Sequence, residues 1–292
     1  MHPSNPELQV STARVKILAS GSKGNATLID TGDHRLLLDA GISARALNGH
    51  LAEAGLSSEE IDAILITHEH TDHIRGLRQF RKLSRATVYT AARSFAKRVS
   101  TWDDFALSTT VHSGTVHSGA VHSKVVHLTP GGCTRHGSID IFPIPLPHDA
   151  AETVGYSLQF NGRRIVSLTD LGHLPGGLEE IISGCDLLIL ESNYDSTMLH
   201  NGPYPTWLKH RVDGPNGHLS NEQMTDVIRR VYNHSPENIP RHVVLAHLSE
   251  NNNTPESALY AAERCLSDLG LTGKVTLHIG HQNRALDWIH LP

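Results

Sequence analysis

The chain has 292 residues, 38% hydrophobic and 19% charged, with a formal net charge of -5. That length suits one large domain or two small ones, and the charge excludes a polycation. Cys133, Cys185 and Cys265 are too few and too far apart for a disulfide framework or a cysteine-based zinc site. Reduced thiols fit a cytoplasmic chain. Met1–Glu7 carries no basic region followed by an apolar core, so no signal peptide is expected. No apolar run approaches the ~20 residues that span a bilayer, so no membrane partner is expected.

Val15–Ala19 reads as a strand, followed by the glycine-rich turn Ser20–Asn25. Ala26–Asp30 and Arg35–Leu38 read as strands joined by a hairpin at Gly32-Asp33. Asp39 closes the second. There it either orients a metal ligand from behind or caps the next helix. Ser43–Ala54 has helical periodicity and stops at Gly55.

The apolar run Ile61–Ile66 then leads into Thr67-His68-Glu69-His70-Thr71-Asp72-His73. Imidazoles and a carboxylate this close suit a zinc-like divalent ion. Four candidate ligands, His68, His70, Asp72 and His73, point to two ions, because one open tetrahedral site needs only three. Ile74–Leu83 reads as a helix. Arg75, Arg78, Lys82 and Arg85 share one side of it. That stripe is either a solvated helix face or a surface that contacts phosphates beside the metals.

Val88–Ala91 reads as a strand and Ala92–Val99 as a helix. Residues 109–127 repeat a Val-His-Ser unit every five residues. Histidine tracts bind metal in some proteins, but the glycines and serines here favour an exposed insertion loop outside the site. Gly137–Ile144, Val154–Phe160, Arg164–Leu168 and Asp186–Leu190 read as strands, with Asn161-Gly162 a hairpin turn and Leu178–Ser183 a helix. Ser220 and Gln223 form a capping box for a helix to about Asn233. His242–Ala246 and Lys274–Ile279 read as strands around a helix from Pro255 to about Leu269. No proline-rich linker interrupts the chain, so a single domain over 1–292 is expected. Polar groups recur just past strand ends: His68, His148, Asp170, Glu191. In a layered α/β fold such ends gather along one edge.

In chain order these become Asp39, His68-x-His70-x-Asp72-His73, His148, Asp170 and His247. The series resembles the five motifs of the metallo-β-lactamase-fold hydrolases, from about Leu18 to about Asn253. Closer features resemble the YycJ-like (WalJ-like) branch, described as exonucleases acting on DNA. They include Ala19–Asn25, Thr67–His73, Pro147–Ala150, Thr169–His173, Glu191–Asp195, Asn201–Pro205, Gly217–Asn221 and Ala246–Ser249. The sequence is also similar to the tRNA-processing and RNA-degrading branches, where Glu191 and His218 have counterparts. The pentapeptide repeat departs from the branch but lies between motifs.

The resemblance implies an α/β fold, an αββα four-layer sandwich with the site at one edge. It implies that His68, His70 and His148 hold one ion, that Asp72, His73 and His247 hold a second, and that Asp170 bridges them. Zinc is the expected metal, and imidazole also suits manganese or iron. Such a pair clamps the attacking and leaving oxygens of an in-line displacement and supplies a bridging hydroxide near neutral pH. A departing alkoxide needs a proton. His218 is the expected donor or phosphate clamp, oriented by Glu191, and Asp72 is counted with them in catalysis. Ser249 and Asn251 either bind a phosphate oxygen or form a turn, and Ser22 and Asn25 do the same from the glycine turn. The implied activity is a phosphodiesterase or exonuclease on nucleic acid, DNA ahead of RNA. The alternative is a thioester or lactone hydrolase of the same fold.

Overall fold

The computed structural model describes residues 13–94 and 124–292. β1 (Arg14–Ala19), β2 (Ala26–Asp30) and β3 (Arg35–Leu38) form an antiparallel meander. β4 (Ala63–Ile66), β5 (Thr87–Ala91) and β6 (Val125–Leu128) extend it in parallel. The helices α1 (Ala44–Glu53), α2 (Thr71–Ile74) and α3 (Leu77–Leu83) belong to this half. A second meander follows: β7 (Thr134–His136), β8 (Ile139–Leu146), β9 (Thr153–Phe160) and β10 (Arg163–Leu168). The strands β11 (Leu187–Glu191), β12 (His242–Ala246) and β13 (Thr276–Ile279) add in parallel. Among them run α4 (Leu178–Ile182), α5 (Ser196–Asn201), α6 (Thr206–Val212), α7 (Asn221–His234) and α8 (Pro255–Asp268). β14 (Ile289–His290) returns to pair with β1, so each sheet has seven strands.

Side-chain alternation makes the layers. In β4, Ala63 and Leu65 enter the core between the sheets, while Ile64 and Ile66 face α1 and α3. In β11, Leu187 and Ile189 face inward while Leu188 and Leu190 pack under α7 and α8. Both faces are covered, so short unbroken apolar runs suffice as strands. The result is the expected αββα sandwich.

Strand direction then places the site. β10, β11 and β12 are mutually parallel, and β8 runs the same way because β9 is antiparallel to both β8 and β10. Their C-terminal ends share an edge. β3 and β4 are also parallel, and the two sheets are tied where these ends meet, by Tyr156 Oη donating to Ile66 O (2.6 Å).

Several local expectations change. The helix expected over Ile74–Leu83 is two pieces, α2 and α3, separated at Gly76. A side chain there would meet Ile42 O at 2.2 Å, so the chain bends at the close approach. Gly137, expected inside a strand, is the turn between β7 and β8, at φ +56°. The end of the expected 109–127 insertion loop is ordered strand: Val125–Leu128 form β6. Residues 109–123 lie outside the described residues, as does most of the helix expected over Ala92–Val99; Ala92–Ser94 form a turn. The Asn161-Gly162 hairpin turn is present with φ of 49° and 73°, as a type I′ turn requires. Among the described residues, no helix is long and apolar enough to cross a membrane.

Gly41 fixes the entry to the histidine loop. Its N–H donates to Asn25 O (2.8 Å), and Asn25 N–H donates to Asp72 O (2.8 Å). A Cβ at position 41 would fall 1.6 Å from Asp72 O. Gly41→Ala is therefore expected to cost about 2–3 kcal/mol through displaced backbone. Thermal denaturation should show a Tm lowered by roughly 5–10 °C. An unchanged Tm would mean that these three loops are not held as tightly as the geometry requires.

Candidate metal centre

Apart from Asn161 in its hairpin turn, three non-glycine residues just past strand ends adopt left-handed backbone among the described residues: Asp39 (φ 60°), Asp170 (φ 63°) and His247 (φ 57°). Such conformations are costly and persist only where surrounding contacts enforce them. His247 shows how. Its N–H donates to Ser20 Oγ (2.7 Å), and its carbonyl accepts from Asn193 Nδ2 (2.8 Å).

The imidazoles are oriented through Nδ1. His73 Nδ1 donates to Asp39 Oδ2 (2.7 Å), and His247 Nδ1 to Glu191 Oε1 (3.0 Å). His148 Nδ1 donates to Gly217 O (3.0 Å), and His68 Nδ1 lies 3.0 Å from Thr67 Oγ1. Thr67 in turn donates its N–H and hydroxyl to Asp39. With Nδ1 held in this way, each Nε2 faces a common space, where it offers a lone pair once it carries no proton. The Nε2 atoms of His68 and His148 and Asp170 Oδ2 are buried there without a hydrogen bond. Orphaned buried acceptors of this kind fit divalent cations.

Two triads of atoms within 4.8 Å of one another stand out: His68 with His70 and His148, and Asp72 with His73 and His247. Asp170 lies between them. Its Oδ1 is 3.4 Å from His247 Nε2 and 3.8 Å from His148 Nε2, and its Oδ2 is 3.4 Å from His73 Nε2. Beside this cluster His218 Nδ1 donates to Glu191 Oε1 (2.7 Å). Glu191 is fully buried, and its other oxygen accepts from Leu171 N (3.2 Å) and Leu219 N (3.1 Å). A buried carboxylate with both oxygens satisfied in this way is held in one orientation.

The other expected contact residues are dispersed. Arg75, Arg78, Lys82 and Arg85 are all exposed, starting two residues after His73. Arg81, which adjoins that stripe in sequence, is buried. Ser22 is exposed on the glycine turn. Asn25 does not project as a phosphate contact. Its Oδ1 accepts from Gly21 N (2.9 Å), its Nδ2 donates to Gly21 O (3.1 Å), and it rests 3.2 Å from His73 Nε2. Ser249 forms a turn, its Oγ accepting from Asn252 N (3.2 Å). Asn251 donates to Tyr204 Oη (3.2 Å). Asp39 is behind a ligand rather than capping α1, whose cap is Ser43.

Asp149, Thr67, Ser20 and Asn193 also contribute, though sequence reasoning assigns them no role. Asp149 Oδ1 lies 3.4 Å from His148 Nε2 and 3.8 Å from His70 Nε2, and its other oxygen accepts from Arg211. Its only signal was adjacency to His148.

The model of a beta-lactamase superfamily domain matches residues 34–248. The chain belongs to that superfamily, among its metallo-β-lactamase-fold hydrolases. Within it, the chain is 31% identical to exodeoxyribonuclease YycJ of Bacillus anthracis over 87% of its own length and 89% of the relative's. It is 33% identical to exodeoxyribonuclease WalJ of Streptococcus pneumoniae, covering 84% of this chain and 85% of that one. These place it in the YycJ/WalJ-like branch. The fold is shared with the metallo-β-lactamase fold protein YhfI from Bacillus subtilis, at a TM-score of 0.67 and 14% identity, over 94% of this chain and 99% of that one. The chain is a metal-dependent hydrolase.

Charge in the metal-free cluster is unevenly spread. Burial opposes a charged His247, but Asp170, Asp72 and Glu191 outweigh it and push its pKa up to about 10. His73 is also held well above the ordinary range: Asp170 and Asp39 overcome burial. His68 goes the other way, driven well below by burial and by the positive charge of His73, His148 and His70. Burial opposes ionisation of Glu191, yet His218 and His247 keep it an anion. A histidine ligand must be neutral, so a metal held by His73 and His247 would displace their protons. Affinity for Zn²⁺ should therefore rise with pH below about pH 10, by about tenfold per unit for each proton displaced. Isothermal titration at pH 7 in buffers of different ionisation enthalpy should report proton release. Affinity that is flat from pH 6.5 to 8.5 would contradict this charge distribution.

Proposed function

We propose that this chain is a dinuclear phosphodiesterase that shortens nucleic acid from an end, with DNA preferred to RNA. The observation that carries the reading is that Asp170 lies between two candidate triads, within 3.4–3.8 Å of His73, His148 and His247, beside an imidazole, His218, held by a buried carboxylate. His68, His70, His148 and Asp170 would hold one ion. Asp72, His73, His247 and Asp170 would hold the other. When bound, two ions supply Lewis acidity toward a phosphate and a water activated near neutral pH; imidazole with carboxylate suits zinc first, then manganese or iron.

The chain's own residues complete the chemistry. Glu191 fixes the His218 ring through Nδ1, which leaves Nε2 to deliver a proton to the leaving oxygen. Asp72 Oδ2, 3.3 Å from His73 Nε2 and 3.4 Å from His247 Nε2, is held ionised despite burial by its bonds to His247 and His73. Asp39 and Thr67 keep His73 in its ligating tautomer. The nucleic-acid substrate is supported by the two exodeoxyribonuclease relatives, which match this chain nearly end to end. It is also supported by the exposed basic run that begins beside the cluster.

The test is cleavage of end-labelled single- and double-stranded DNA and RNA by protein loaded with Zn²⁺ or Mn²⁺. Stepwise shortening is expected, fastest on DNA, and it should vanish in His68→Ala together with bound metal. His218→Ala should keep its metal and lose about 10²–10⁴-fold in kcat. No cleavage of any nucleic acid by metal-replete protein would overturn the reading in favour of a small ester, thioester or lactone.

Arg75, Arg78 and Lys82 are proposed to contact the phosphate backbone away from the scissile bond. Reversing all three charges should weaken binding at low salt. It should also flatten the dependence of log K on log[salt] by roughly 0.7–0.9 per lost phosphate contact. Binding curves that overlay the parent at every salt concentration would return the run to an ordinary solvated surface.

A further inference from the structure

The segment Asn201–Val212 supplies nothing to the metal cluster, yet it is pinned to two of the loops that build it. Tyr204 Oη accepts from Asn251 Nδ2 (3.2 Å), on the loop that follows His247. Seven residues on, Arg211 Nε donates to Asp149 Oδ2 (2.5 Å). Asp149 in turn borders His148 and His70. Tyr204 and Leu208 pack with Tyr194, Leu199 and Val212 into a small apolar cluster of their own, which seats α6. The end of α6 also holds the proton donor's backbone, since His218 N–H donates to Val212 O (2.9 Å).

Trp207 takes no part in that cluster. It is 67% exposed, the most exposed large hydrophobic side chain among the described residues. Positions 207 and 211 are i and i+4 on α6, so they share a face about one turn, roughly 5–6 Å, apart. The indole therefore stands one turn from the arginine whose partner touches the histidines. Lys209, His210 and Arg211 make the last turn basic, against Asp149 and Asp213 as the acidic groups alongside. A lone indole in polar, basic surroundings is too small an apolar area for a protein partner. It is what one unpaired base needs, since stacking on an aromatic face tolerates any base and pairs with backbone cations.

We infer that Trp207 is a stacking platform for an unpaired base of the substrate strand, next to the phosphate at the metal centre. The inference rests on the nucleic-acid reading and adds to it that the strand is single where it meets the site. The experiment compares metal-loaded wild type, Trp207→Ala and Trp207→Phe. The substrates are a thymidine 12-mer and the same strand with abasic tetrahydrofuran units at its ends. Trp207→Ala should raise KM on the 12-mer about tenfold with kcat unchanged, and Trp207→Phe should recover most of the loss. On the abasic strand all three should share one raised KM, because there is no base left to stack. Equal KM for wild type and Trp207→Ala on the 12-mer would overturn the platform alone. The same holds if the Trp207→Ala defect persists undiminished on the abasic strand. If wild type degrades neither strand, the inference fails, since it requires a single strand at the site; the nuclease reading fails with it only if duplex DNA and RNA are left intact as well.

Discussion

The rest of the structure depends on keeping four carboxylates at the end of a sandwich where little water reaches them. Asp39, Asp170 and Glu191 are buried and Asp72 is nearly so. Each would be costly alone, and each is met differently. Asp39 is closed by Thr67 and His73. Glu191 is closed by two imidazoles and two backbone amides. Asp170 is left more open: its Oδ2 has no hydrogen bond and lies 3.4 Å from His73 Nε2. An anion so placed needs a cation, and among the described residues its charged neighbours are histidines and Glu191. Protons on His73 and His247 balance the cluster without metal, and a metal held by the proposed ligands would take their place.

The fold pays for this arrangement at its strand ends. Parallel strands, joined by helical crossovers, bring Asp39, His68, Asp170, Glu191 and His247 to one edge. Turning each side chain inward from such an end requires a left-handed residue at three of these positions. Close backbone contacts hold the turns: Gly41 against Asp72, and Gly76 against Ile42. Rigidity here and function are the same requirement, because a ligand set displaced by an ångström no longer converges.

The sequence makes several candidate ligands legible because they stand just past apolar runs, whereas the sandwich is what the family resemblance implies. His68 comes two residues after Ile66, and Asp170 two after Leu168. It did not make legible what holds those ligands. Ser20 reaches His247 across 227 positions, and Asn193 reaches it across 54. Neither distance leaves a local pattern. Asn25 was misread for a related reason: a glycine-rich turn can offer its amides to an anion, but here the asparagine folds back to close the turn. The break between α2 and α3 was hidden because periodicity continues across Gly76, and only the approach of Ile42 imposes the bend. α6 was missed because it is short and begins after Pro205 without a side-chain cap.

Glu191 connects the two halves of the site more tightly than its distance from the triads suggests. One oxygen, Oε1, accepts from both His218 and His247, at 2.7 and 3.0 Å. A stronger bond to one ring weakens the other, so the basicity of a proposed metal ligand and the orientation of the proposed proton donor are set by a single atom. Substitution at Glu191 therefore removes two functions at once, and the effects of changing Glu191 and His218 together should fall well short of their sum. The same sharing explains why the second oxygen is tied to two backbone amides. With Oε2 fixed by Leu171 and Leu219, the carboxylate cannot rotate toward either imidazole, and the division between them is set by the backbone past β10 and the loop before α7.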